Sequence, residues 1–368
     1  MPTLNPTRRS LLLAGGALAL VGSARAAPAV PAPLVVMILR GGLDGLAAVP
    51  PTSDPAYARR RGALAISGAL PLTPDFGLHP SLAFLGERFA AQELAVLHAA
   101  STPYRDRSHF DGQDVLESGV TEVFGAGTGW LSRALAQRGS SGVAVGSMVP
   151  LLLRGPGEAT SWTPSKAGPP NDDTLARLSD LYRSHPVLAD ELAKAQQTAA
   201  LLEGVSTGNE PAELVRACAA MLLAPGGPEA AVISVSGWDT HANQGAGEGA
   251  LANRLKQLDA GLRTLHDALG PAWAQTQVLV LTEFGRTVAV NGTKGTDHGT
   301  GTVAFLVGGA VRGGRVLGDW PTLARLHEDR DLVPANDVRT LVAGVLAEHW
   351  GVEGAFDGVR PMTGLARG

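Results

Sequence analysis

The chain has 368 residues, 45% hydrophobic and 17% charged, a balance that excludes a disordered polypeptide. A formal net charge of -4 removes any electrostatic case for nucleic acid or an anionic membrane as partner. A single cysteine, Cys218, excludes an intrachain disulfide and a thiolate metal cluster, and its apolar neighbours mark it as a small buried hydrophobe.

The chain opens with Thr7-Arg8-Arg9-Ser10-Leu11-Leu12, an apolar stretch over 11–21 and the small-residue run Ala24-Arg25-Ala26. This pattern predicts a twin-arginine signal peptide over 1–26 and delivery to the periplasm or beyond. The apolar stretch is shorter than the about 20 residues a membrane span needs, so none is expected in the mature chain. The remainder, 27–368, reads as one α/β domain with an insertion around 151–225.

Continuous apolar runs at 34–39, 94–98, 230–235, 277–281 and 302–307, with a weaker one at 143–149, predict strands buried on both faces. Helical periodicity falls between them at 81–91, 110–118, 130–137, 174–182, 187–202, 213–223, 250–269 and 337–349. Ser81 and Asp337 read as N-caps, and Gly139 and Gly270 as stops. Alternation of this kind predicts a three-layer α/β/α sandwich on a mostly parallel sheet. The Gly- and Pro-rich stretch 151–173 reads as a surface excursion. Residues 284–301 leave little room for a crossover helix, so the strand at 302–307 is expected to run antiparallel.

Ligands of an open α/β sheet bind beyond the carboxyl ends of its strands. Asp44 follows the first run, Asp239 and His241 follow the third, and Glu283 follows the fourth. Asp297 and His298 precede the last, which an antiparallel direction returns to the same rim. Carboxylates mixed with imidazoles suit zinc or manganese, and a carboxylate-rich subset suits calcium or magnesium. Individually these residues have plainer readings: Asp44 as a turn residue, Glu283 as a partner of Arg286, Asp297 as an orienting group for His298. A second polar concentration, Ser101-Thr102-Pro103-Tyr104-Arg105-Asp106-Arg107-Ser108-His109, links a strand to a helix. There Arg105 and Arg107 are candidates to hold an oxyanion, Ser108 or Ser101 a hydroxyl nucleophile, and His109 a ligand or proton carrier.

Taken together, Leu39-Arg40-Gly41-Gly42-Leu43-Asp44-Gly45, Ser108-His109-Phe110-Asp111, Gly237-Trp238-Asp239-Thr240-His241, Thr282-Glu283-Phe284-Gly285-Arg286-Thr287 and Gly295-Thr296-Asp297-His298-Gly299 resemble the bacterial family known as domain of unknown function 1501. Its members often carry twin-arginine leaders. That family is similar in turn to the alkaline phosphatase and sulfatase superfamily. The likeness implies an alkaline-phosphatase-like fold with Asp44, Asp239, His241, Glu283 and His298 around two metals. It also implies a nucleophile at a helix start, Ser108 or Ser101. Phe284 stands where the phosphatases have histidine, and Glu283 where aspartate is usual, which leaves the second metal in question. The expected function is an exported metal-dependent hydrolase of phosphate or sulfate esters, zinc its first cofactor candidate and a small anionic ester or glycan its partner. The alternative is a non-catalytic exported binding or assembly protein with a structural or vestigial metal site.

Overall fold

The computed structural model describes residues 32–164, 170–202 and 210–367. The leader expected over 1–26 lies outside the described residues. The first apolar run forms β1 (Leu34–Arg40), whose alternate side chains serve two cores. Val35, Met37 and Leu39 pack into one, and Leu34, Val36 and Ile38 into the other. A strand buried on both faces needs a helical layer on each side, which explains the unbroken apolar run.

The remaining strands are β2 (Leu70–Pro71), β3 (Gly77–Leu78), β4 (Leu94–Ser101), β5 (Ser141–Val145), β6 (Glu158–Trp162), β7 (Ala230–Ser236), β8 (Gln277–Leu281), β9 (Thr302–Val307), β10 (Arg315–Leu317) and β11 (Asn336–Asp337). Within the main sheet the order is β10-β4-β9-β8-β1-β7-β5-β6, with β11 alongside β4; β2 and β3 form a separate pair. All neighbours in the main sheet are parallel except β9, which runs antiparallel to both β4 and β8. The helix-free link over 284–301 enforces that direction, as expected. Strand β6, by contrast, lies inside the stretch read as a surface excursion, and it pairs with β5 at the sheet edge.

The helices are α1 (Gly45–Ala48), α2 (Tyr57–Arg61), α3 (Ala83–Ala90), α4 (His109–Ser118), α5 (Trp130–Arg138), α6 (Asp172–Tyr182), α7 (Pro186–Leu201), α8 (Pro211–Leu223), α9 (Ala250–Leu269) and α10 (Val338–Trp350). Helices α3, α8 and α9 cover one face of the sheet, and α4, α5 and α10 cover the other. The result is a three-layer α/β/α sandwich. Helix α6 buries no side chain, whereas α8 places Ala217, Cys218 and Met221 in the core. Burial pushes the Cys218 thiol up to about 12, in keeping with an inert hydrophobe.

Asp337 caps α10 as expected, with its carboxylate accepting from the Arg339 amide. Ser81 does not cap α3. The buried carboxylate of Asp259, on α9, reaches across instead and accepts from the Phe84 and Leu85 amides at 2.9 and 3.0 Å. Among the described residues no helix is long and apolar enough to cross a membrane.

Candidate metal centre

Parallel strands β1, β7 and β8 end together, and antiparallel β9 begins at the same rim. Their loops therefore deliver Gly41, Asp239, His241, Glu283, Asp297 and His298 to one place. Helix α4 adds His109, the first residue after its N-cap Ser108. One potential ligand atom each from His109, Asp239 and His298 lie within 4.8 Å of one another.

Hydrogen bonds fix the orientation of all three imidazoles. His109 Nδ1 donates to Glu283 Oε1 at 2.8 Å, His241 Nδ1 to Asp297 Oδ1 at 3.1 Å, and His298 Nδ1 to the Arg107 carbonyl at 2.9 Å. A carbonyl only accepts, so His298 carries its proton on Nδ1, and an ionised carboxylate imposes the same tautomer on the other two. Each Nε2 then turns inward: His298 Nε2 stands 3.0 Å from both His109 Nε2 and His241 Nε2. The Asp239 carboxylate closes the group, with oxygens 3.0 to 3.4 Å from the three Nε2 atoms.

Imidazole lone pairs facing each other at this separation repel unless something positive lies between them. The hydrogen bond to Glu283 raises the His109 pKa, while burial and the charge on His109 lower that of His298. A divalent cation among His109, His298 and Asp239 would satisfy two nitrogens and a carboxylate, with the His241 nitrogen 3.0 Å from that of His298. Imidazoles with carboxylate or carbonyl partners on the opposite nitrogen form a common second layer around metal ligands. The donor set fits zinc best, being mostly nitrogen with one carboxylate.

The surrounding charges are set by burial and pairing. Burial by itself would raise Glu283; hydrogen bonds from His109, Gln113 and Gly41 outweigh it and hold the carboxyl below its ordinary range. Burial also opposes ionisation of Asp239, but the Arg286 guanidinium, donating at 2.6 Å, holds its pKa down. Gly41 must be glycine here. Its φ is +124°, and a Cβ would meet the backbone of Trp238 and Asp239.

Several expected roles change. Asp44 does not point at the histidines. Its carboxylate is 1% exposed, pairs with fully buried Arg61, accepts from Gln244 Nε2 at 2.6 Å and caps the Ala47 amide. With both oxygens engaged in these three hydrogen bonds, the carboxylate serves Arg61, Gln244 and the α1 cap rather than the histidine cluster. Glu283 and Asp297 face the outer nitrogens of His109 and His241, as orienting groups, and Asp297 serves His241 rather than His298. Arg107 is neutralised by Asp331 and Glu328, and Arg105 donates to the carbonyls of Thr102 and Tyr104, so neither stands ready for an oxyanion. Ser101 is buried at the end of β4, opposite Asp337 of β11. The Ser108 hydroxyl accepts weakly, at 3.5 Å, from the Asp111 amide.

Sequence reasoning missed Arg286 as the partner of Asp239, and Gln113 as the link between Glu283 and Arg40. Gln113 lies four residues after His109, the spacing that puts both on one helix face, and that signal was readable.

The family model described as "Protein of unknown function (DUF1501)" matches residues 98–361. The glycine turn after β1 and Asp44 fall outside the matched stretch. No curated protein matches the sequence significantly. Among solved structures, a putative sulfatase from Bacteroides thetaiotaomicron is 10% identical, with 91% of this chain and 73% of that one covered at a TM-score of 0.40. The C-terminal periplasmic domain of EcEptC from Escherichia coli, in complex with zinc, is 10% identical over 75% of this chain and 72% of that one, TM-score 0.39. The phosphonate monoester hydrolase of Agrobacterium radiobacter is 12% identical over 77% and 70%, TM-score 0.36. These are partial overlaps of architecture and say nothing of substrate.

Proposed function

We propose that this chain, which belongs to the DUF1501 family of proteins of unknown function, is a metal-dependent hydrolase of phosphate or sulfate esters. One observation carries the reading: ligand atoms of His109, His298 and Asp239 lie within 4.8 Å of one another at the carboxyl rim of the sheet, with His241 Nε2 3.0 Å from His298 Nε2. His109, His241, His298 and Asp239 would hold the ion, zinc being the first choice. When bound, a divalent ion supplies Lewis acidity toward an ester oxygen.

The protein's own groups do the rest. Glu283, Asp297 and the Arg107 carbonyl keep the three rings in register, and Arg286 keeps Asp239 ionised. Ser108, next to His109 at the start of α4, is the assigned nucleophile in place of Ser101. Its Oγ only accepts at the helix cap, which leaves its proton available for transfer. With Asp44 committed to Arg61, the centre is read as mononuclear. The leader pattern at Arg8-Arg9 supports action in the periplasm or outside the cell.

The competing reading, a non-catalytic binding protein with a structural metal, is favoured by one feature: no arginine of the 101–109 loop is poised for an anion. Elemental analysis of the purified protein, followed by a phosphatase, phosphodiesterase and sulfatase panel, decides between them. The hydrolase retains about one metal per chain and turns over at least one ester class, and Asp239→Asn abolishes both while the protein stays folded. Ser108→Ala keeps the metal and loses turnover. Protein loaded with metal yet inert toward all three classes overturns the hydrolase and leaves the binding protein.

A further inference from the structure

A groove of about 770 Å³ opens on the same rim, beside the histidine cluster. Its floor is the carboxyl ends of β1, β5 and β7, and one wall is α4, the helix that carries His109. The opposite wall is the loop after β5, including Met148. The volume falls within the range of small-molecule sites, roughly 300 to 1,000 Å³.

Two features set the mouth of this groove apart from ordinary surface. Large apolar side chains line it and face water: Phe110 is 83% exposed, Phe124 73% and Met148 73%. In addition, Phe124 has a φ of +54°, a left-handed conformation that is unfavourable for an aromatic residue. The Asp114 carboxylate holds it there, accepting from the Phe124 amide at 2.7 Å. The chain thus spends backbone strain and a carboxylate on keeping a phenyl ring exposed.

The polar groups along α4 already have partners, and on the opposite wall Arg154 donates its Nε to the Val149 carbonyl. Arg40 meets Glu117 at 2.7 Å and donates to Gln113, while Asp114 is used by Phe124. An occupant therefore gains mainly by apolar and aromatic contact. Gln113 joins the groove to the metal centre, since its Nε2 donates to the same Glu283 oxygen that holds His109.

We infer that this groove receives the organic half of the substrate, an aryl or aliphatic group next to the ester, and so selects esters of apolar alcohols over small or sugar esters. The inference rests on the hydrolase reading for the ester and on the groove alone for the apolar group. Joint loss of the two exposed aromatic contacts is expected to weaken affinity about tenfold, about 1.4 kcal/mol.

The test uses the double variant Phe110→Ala/Phe124→Ala, checked for an unchanged melting temperature and metal content. Equilibrium binding of 2-naphthol is followed by fluorescence, and kcat/KM is compared for 2-naphthyl phosphate and methyl phosphate. Wild-type protein is expected to bind 2-naphthol about tenfold more tightly than the variant. The naphthyl-to-methyl ratio of kcat/KM is expected to fall about tenfold in the variant, through KM. Equal binding of 2-naphthol to both proteins, or binding to neither, overturns the inference. Loss of naphthol binding in the variant, with no turnover by wild type of either phosphate ester or of 2-naphthyl sulfate and bis-2-naphthyl phosphate, supports the groove and overturns the hydrolase.

Discussion

Asp44 and Asp239 follow neighbouring strands and are both acidic, yet their surroundings give them opposite tasks. Asp239 is partly open and faces three imidazole nitrogens, whereas Asp44 is sealed against Arg61, whose guanidinium also donates to the Thr287 and Val288 carbonyls. Removing one partner of a buried pair leaves a charge without compensation, at a cost of about 3 to 5 kcal/mol. Asp44→Asn is therefore expected to lower stability in denaturant melts by an amount of that order and to retain its metal. Asp239→Asn, which also strips the buried Arg286 guanidinium of its carboxylate, should lose metal besides lowering the melt, so metal content is what separates the two variants. Loss of metal from Asp44→Asn with unchanged stability would return Asp44 to the ligand set.

At the level of elements, Asp259 shows how packing replaces a local signal. Ser81 has the sequence of an N-cap, but the chain turns so that two amides of α3 point at a carboxylate on α9, 174 and 175 residues away. Asp259→Ala leaves those amides buried without an acceptor, at about 1 to 3 kcal/mol each. A loss of 2 kcal/mol or more, with metal content and turnover intact, is expected from urea melts of this variant; a loss under 0.5 kcal/mol would show that water reaches α3. The strands were legible for a related reason in reverse. A strand buried on both faces is written as an uninterrupted apolar run, so β8 and β9 match their predicted bounds, and the antiparallel direction of β9 followed from a link whose Gly, Asn and Thr content leaves little room for a helix. Strand β6, partly exposed at the edge and rich in polar residues, carries no such run and was missed. In the site, the acids and imidazoles were legible by their place after strands. Which of them face the centre was not, because that depends on partners such as Arg61, Arg286 and the Arg107 carbonyl, which no spacing reveals.

Across the whole molecule, the four proposed ligands come from α4 and from the loops flanking β7 and β9, between residues 109 and 298. The unfolded chain cannot hold them together, so metal binds the folded state and stabilises it in proportion to its concentration. Free metal at a hundred times its dissociation constant contributes about 2.7 kcal/mol. For a chain of this size that amounts to a rise of several degrees in melting temperature. Protein dialysed against chelator should melt lower than protein with zinc restored, and the gap should widen with each increment of zinc. The variants Asp239→Asn and His298→Ala should melt at one temperature throughout, since the pocket that discriminates folded from unfolded chain is gone. A wild-type melting temperature indifferent to zinc would overturn the metal centre and the Lewis-acid chemistry proposed for it.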